Sequence, residues 1–116
     1  MEIERSKIEI KWEDMIKYGY VVLKNYPKTE RYILGHDTRQ SMWNIGKYIQ
    51  LAVSIRNQRK KVYYMELADH EVARCKSLVQ AGHAMQFMST KQLGIWGDLL
   101  VQLGKMIGGW LKSVAA

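Results

Sequence analysis

The chain has 116 residues, 47% of them hydrophobic, with one proline, one cysteine and a formal net charge of +7. That length holds one domain with a real core and is too short for two, the hydrophobic content excludes a disordered chain, and a single cysteine excludes an internal disulfide. The charge is concentrated: residues 27–61 carry Lys28, Arg31, Arg39, Lys47, Arg56, Arg59, Lys60 and Lys61 against only Glu30 and Asp37, the electrostatic footprint expected for binding a phosphate backbone.

Residues 1–10 alternate charge and apolarity and read as a loosely ordered lead-in. Ile8-Glu9-Ile10 has the alternation of a short strand, but a lone strand would have nothing to pair with. The segment is not a signal peptide, and no stretch reaches the roughly 18–20 apolar residues of a membrane span, so the protein is expected in the cytoplasm. A first helix is predicted from about Trp12 to Asn25, with Trp12, Met15, Ile16, Gly19, Tyr20, Leu23 and Tyr26 inward.

The second helix is predicted over 28–57, with Pro27 suited to its first turn, where a missing N–H costs nothing. A tight connection there makes the first two helices antiparallel neighbours. Leu34, Thr38, Ser41, Ile45, Ile49, Ala52 and Arg56 follow the spacing of one helix face. Lys28, Tyr32, His36, Arg39, Trp43, Lys47, Gln50 and Asn57 fall on the opposite side. That face is either an ordinary wet one carrying two stray aromatics or a partner surface, protein or nucleic acid; Tyr and Trp set among Arg and Lys favour the partner surface. Arg31 and Arg56 lie nearer the apolar stripe, where an internal pairing with Asp37 or Glu71 is expected.

Asn57-Gln58-Arg59-Lys60-Lys61 reads as a loop, its cations free to follow a phosphate backbone. A third helix is predicted over 62–87, with Met65, Ala68, Val72, Cys75, Leu78, Val79, Gly82 and Met85 inward. Cys75 on that stripe reads as a buried small hydrophobe, not a reactive thiol. His36, His70 and His83 have no metal-ligand spacing with each other or with Cys75, so no metal is expected.

The fourth helix, over 90–112, has the clearest start signal, the capping box Ser89-Thr90-Lys91-Gln92. Leu93, Trp96, Leu99, Leu100, Leu103, Met106, Ile107, Trp110, Leu111 and Val114 give it a broad apolar face. Gly97, Gly104 and Gly108 run along its edge with Gly94 nearby. Each helix-interior glycine costs about 1 kcal/mol against alanine, so another backbone, from this chain or a second copy, is expected close by.

No phosphate-cradling glycine loop follows a strand, and no nucleophile has a base at a suggestive spacing. The chain therefore reads as a non-enzyme without a cofactor, an all-α protein forming one up-down antiparallel four-helix bundle over residues 1–116. The expected nucleic-acid or partner contacts are Lys28, Arg39, Lys47, Arg59, Lys60 and Lys61. The expected subunit contacts are Tyr32, Trp43, Gly97, Gly104 and Gly108.

Several of these segments carry a family resemblance. Tyr26-Pro-Lys-Thr-Glu-Arg-Tyr-Ile-Leu-Gly35, Arg39-Gln-Ser-Met42, Glu66-Leu-Ala-Asp-His-Glu-Val-Ala-Arg74 and Leu103-Gly-Lys-Met-Ile-Gly-Gly-Trp-Leu-Lys112 resemble the accessory variability determinant (Avd) proteins of diversity-generating retroelements. The similarity covers about residues 12–113. Thr38 stands where that family more often places an aliphatic residue. The proline-lysine opening is shared with four-helix proteins encoded in ribosomal RNA intervening sequences, whose asparagine–alanine–glutamate–glycine helix ending is absent here.

The resemblance implies a bundle that assembles as a ring-like homopentamer, encoded by a bacterium or its phage. It also implies a positive surface that binds template RNA and associates with the element's reverse transcriptase in making mutagenic cDNA. The alternative is an oligomeric assembly protein of the intervening-sequence type with no polymerase partner.

Overall fold

A computed structural model describes residues 6–115 and holds four α-helices with no strand among the described residues. The N-terminal part of the expected lead-in, residues 1–5, lies outside that range. The rest is a correction: α1 spans Lys7–Leu23 and so starts at Lys7, not near Trp12. Its start is a reciprocal cap, Glu9 N–H donating to Ser6 Oγ at 3.2 Å and Ser6 N–H donating to Glu9 Oε1 at 3.2 Å. Ser6-Lys7-Ile8-Glu9 is thus a capping box, and Ile8–Ile10 is helical.

The chain then reverses through Lys24–Ile33, which includes a single 3-10 turn at Glu30–Tyr32, before α2 runs over Leu34–Ser54. Pro27 serves this turn and does not open the second helix. The reason is local. Tyr26 buries its ring against Phe87, with centroids 5.3 Å apart, and Arg31 folds back so that Nε donates to Tyr26 O at 3.1 Å and a terminal nitrogen to Lys24 O at 2.7 Å. Arg31 thereby satisfies carbonyls at the C-cap of α1 and in the turn that follows it. Neither Arg31 nor Arg56 pairs with Asp37 or Glu71. Glu71 instead accepts from Ser41 Oγ at 2.6 Å and pairs with Arg74 at 3.2 Å.

α3 spans Gln58–Ala84, and the side chain of its N-cap residue Asn57 accepts from Lys60 N–H at 3.0 Å. The expected basic loop is therefore the first turn of a helix, and only Ile55–Asn57 connect α2 to α3. α3 ends in a Schellman turn, Phe87 N–H donating to Gly82 O and Gln86 N–H to His83 O, both at 2.9 Å. Gln86 takes the left-handed position at φ 66° that glycine usually fills. The turn rotates Met85 outward to 60% exposure, against its expected inward place. α4 spans Thr90–Ala115 behind the expected Ser89–Gln92 box, with bonds of 3.1 and 3.0 Å.

Successive helices pack on one another and α1 closes against α4, the arrangement of an up-down bundle. The core holds Met15, Leu23, Met42, Ile45, Ile49, Met65, Val72, Val79, Trp96, Leu100, Leu103 and Ile107. Trp96 fits because Gly19 has no side chain: a Cβ there would meet Met42 Sδ at 2.6 Å and Trp96 Cζ2 at 2.9 Å. Thr38 is fully buried with its hydroxyl donating to Leu34 O at 2.7 Å, so its own helix satisfies it. On α4 only Trp96, Leu100, Leu103 and Ile107 are buried; Leu93, Leu99, Met106, Trp110 and Leu111 flank them half-buried.

Candidate nucleic-acid interface

The outer face of α2 carries an ordered aromatic cluster. Trp43 is 51% exposed, yet its indole N–H donates to Tyr20 Oη of α1 at 2.8 Å. Its ring meets Trp12 edge to face, with centroids 5.4 Å apart and planes at 71°. Trp12 is held in turn by its own indole N–H, which donates to Met42 O at 2.8 Å. It lies so close over Gly46 that a Cβ there would collide with the ring. His36, Arg39, Gln40, Trp43 and Asn44, together with Tyr20, line a recess of about 340 Å³. Those α2 residues recur at three- and four-residue intervals, which places them on one helix face.

The expected cations divide into exposed and engaged ones. Lys28, Arg59 and Lys60 are exposed, the last two in the first turn of α3. Lys47 has Nζ 5.0 Å from the centroid of the Tyr48 ring. Arg39 donates to Arg31 O at 2.7 Å, which fixes its guanidinium at the rim of the recess. For Lys61, Nζ donates to Ala52 O at 2.5 Å and lies 5.8 Å from the Trp110 ring. Lys61 thus completes the C-terminal end of α2 and is not free in a loop.

The expected subunit contacts also separate. Tyr32 projects from the 3-10 turn at 77% exposure, away from the α2 helix that was to carry it. Gly97 and Gly108 have nothing within 4 Å of an added Cβ, whereas Gly104 faces α3, its Cβ position 3.6 Å from Val72 Cγ1 and 3.8 Å from Lys76 Nζ. Close packing within the bundle therefore does not account for Gly97 or Gly108.

Burial pushes the Cys75 thiol up to about 12, opposed by a hydrogen bond from Ser41 and reinforced by the nearby Glu71 carboxylate. Such a thiol stays protonated and unreactive at neutral pH. Burial, with Cys75 adding to it, also raises Tyr26 to about 12.

The sequence marks Trp43 and Arg39 as outer-face residues of α2, but not the contacts that Trp12, Tyr20 and Gly46 make around them. One signal was present: a glycine in mid-α2, a costly position unless something large lies over it.

The family model for bAvd-like proteins matches residues 6–114. No curated protein matches the chain. No helix among the described residues is long and apolar enough to cross a membrane.

Proposed function

Because this chain belongs to the bAvd-like family, we propose that it is a non-enzymatic accessory subunit of a diversity-generating retroelement. In this role it binds template RNA and the element's reverse transcriptase and supports mutagenic cDNA synthesis. It works in the cytoplasm as a homopentamer.

One observation carries the nucleic-acid part. Arg59, Lys60 and Lys61 occupy the first turn of α3, and no acidic residue accompanies them there. A helix N-terminus carries a partial positive charge, so cations placed there work against the macrodipole. Lys61 has a structural use at the end of α2; Arg59 and Lys60 are exposed and only weaken the helix start. A phosphate reverses that sign, because it is attracted to both the cations and the helix end. Self-association is supported separately by the half-buried apolar flanks of α4 and by glycines whose Cβ positions are open.

The test is binding of a labelled single-stranded RNA across a range of salt concentrations. Replacing Lys28, Arg59 and Lys60 with Gln should weaken binding and flatten the log–log salt slope by about 0.7 for each phosphate that the variant no longer neutralises. Helicity should not change. Lys61 is left in place because it also holds the end of α2. Unchanged affinity and slope with intact helicity would remove this surface from the reading.

A further inference from the structure

We infer that the recess around Trp43, between α1 and α2, is a subsite for one unstacked nucleobase of a single-stranded nucleic acid. The inference rests on the nucleic-acid reading above and gives it a specific contact that charge alone does not supply.

The aromatic surface is preorganised. A half-exposed indole on a helix surface normally samples several rotamers. Trp43 is instead held by its N–H on Tyr20 Oη at 2.8 Å and by the Trp12 ring at 5.4 Å. Trp12 is fixed by Met42 O at 2.8 Å and by the space that Gly46 leaves for it. The aromatic surface is thus ordered before anything binds, which removes much of the entropic cost of docking on it.

The polar rim of the recess suits a base edge. With the Trp43 N–H already satisfied, its ring surface is what remains for a ligand. Around it stand the Gln40 and Asn44 amides, the His36 imidazole and the Arg39 guanidinium. Each amide offers both donors and an acceptor, the mixture a base edge requires. Arg39 is anchored through one nitrogen at 2.7 Å and keeps other N–H groups for a phosphate. An aliphatic side chain from a second subunit would cover the ring but leave those polar groups desolvated without partners. A base satisfies both parts of the recess.

The recess is also the right size. About 340 Å³ is at the small end of ligand pockets, the scale of one nucleotide. Bases in a duplex are stacked on both faces and have none to offer, so the recess selects for single strands.

The experiment compares wild-type protein with Trp43→Ala, Trp43→Phe and Gly46→Ala. The probes are a twelve-nucleotide single-stranded RNA and an RNA duplex of the same length. Trp43→Ala should lose about tenfold in single-strand affinity, the order expected for one lost stack, with duplex affinity and salt slope unchanged. Trp43→Phe should keep most of the affinity. Gly46→Ala, which displaces Trp12, should fall between. Equal affinity of wild type and Trp43→Ala for the single strand overturns the subsite but leaves the charge-based reading standing. So does an equal loss on both probes, or a change confined to oligomer size by light scattering, which would make Trp43 a subunit contact. Failure of the wild type to bind either RNA overturns the nucleic-acid reading itself.

Discussion

Trp96 and Trp12 each rest on a glycine of a neighbouring helix, Gly19 under the first and Gly46 under the second. Beyond that shared device the two sites are opposites. Trp96 is fully buried in the α1–α2–α4 core, and its indole N–H has no hydrogen-bond partner among the described residues. On the outer side, Trp12 and Trp43 both have their N–H groups satisfied at 2.8 Å, while Trp43 keeps half of its surface in solvent. In the core, filling volume outweighs the cost of one stranded donor, because dense apolar contact is worth more than a single neutral hydrogen bond. At the surface the ordering is reversed: both indole N–H groups are placed and apolar area is left open. Leftover hydrophobic surface does not come with its hydrogen bonds arranged, so the outer cluster reads as a built feature.

The largest test of this contrast is deletion of each ring. Trp96→Ala should lower the unfolding free energy by about 3–5 kcal/mol, the range for large core truncations. Trp43→Ala should cost about 1 kcal/mol or less, as surface substitutions do. Urea denaturation of the two variants reads both values, and equal losses would break the distinction.

Alkaline pH sharpens the core side. The folded-state values for Cys75 and Tyr26 rise from ordinary values of 9.0 and 10.0 to about 12. Both groups are neutral when protonated, so the folded state holds its protons more tightly than the unfolded chain. Their contribution is fully present below about pH 9. It should be lost between pH 9 and 12 at up to about 1.4 kcal/mol per pH unit for each proton involved. In Cys75→Ala the onset should move from near pH 9 toward pH 10, as followed by thermal melts in buffers across that range.

The smallest effect concerns glycines that nothing covers. Gly97→Ala and Gly108→Ala place a Cβ in open space. Each should therefore stabilise the individual bundle by about 0.5–1 kcal/mol through helix propensity. If a second copy approaches that edge, the same changes should shift the oligomer toward smaller species in light scattering. Higher stability with an unchanged oligomer would place the subunit contact elsewhere.

Periodicity made the bundle legible in advance: the stripes of α2, α3 and α4 were readable, as was the Ser89 box, because a helix buried on one side repeats its apolar residues at fixed spacing. The helix starts were less so. Ser6-Lys7-Ile8-Glu9 is a complete capping box, masked by an alternation that resembles a strand. Asn57 is a good N-cap, hidden because the cations after it suggest a solvated loop. Met85 has the right register for the core but sits where the Schellman turn swings the chain out. The outer cluster was half readable: Trp43 and Arg39 stand out by composition, but the hydrogen bond to Tyr20 and the fit of Trp12 over Gly46 are contacts between helices, which periodicity within one helix does not encode.

The three-residue link Ile55–Asn57 has a consequence for the order of assembly. α2 and α3 share the most extensive packing in the bundle, and α1 has the least with its neighbours. Closing a short link costs little chain entropy, so the α2–α3 hairpin is the natural folding nucleus, with α1 docking later. The same ranking governs opening in the native state, where the most sparsely packed element detaches at the lowest free energy. Trp43 belongs to the hairpin, while Tyr20 and Trp12 arrive with α1. Release of α1 alone would therefore dismantle the aromatic recess while leaving the α2–α3 hairpin and its basic helix start folded, so that a bound base would act as a latch on the first helix.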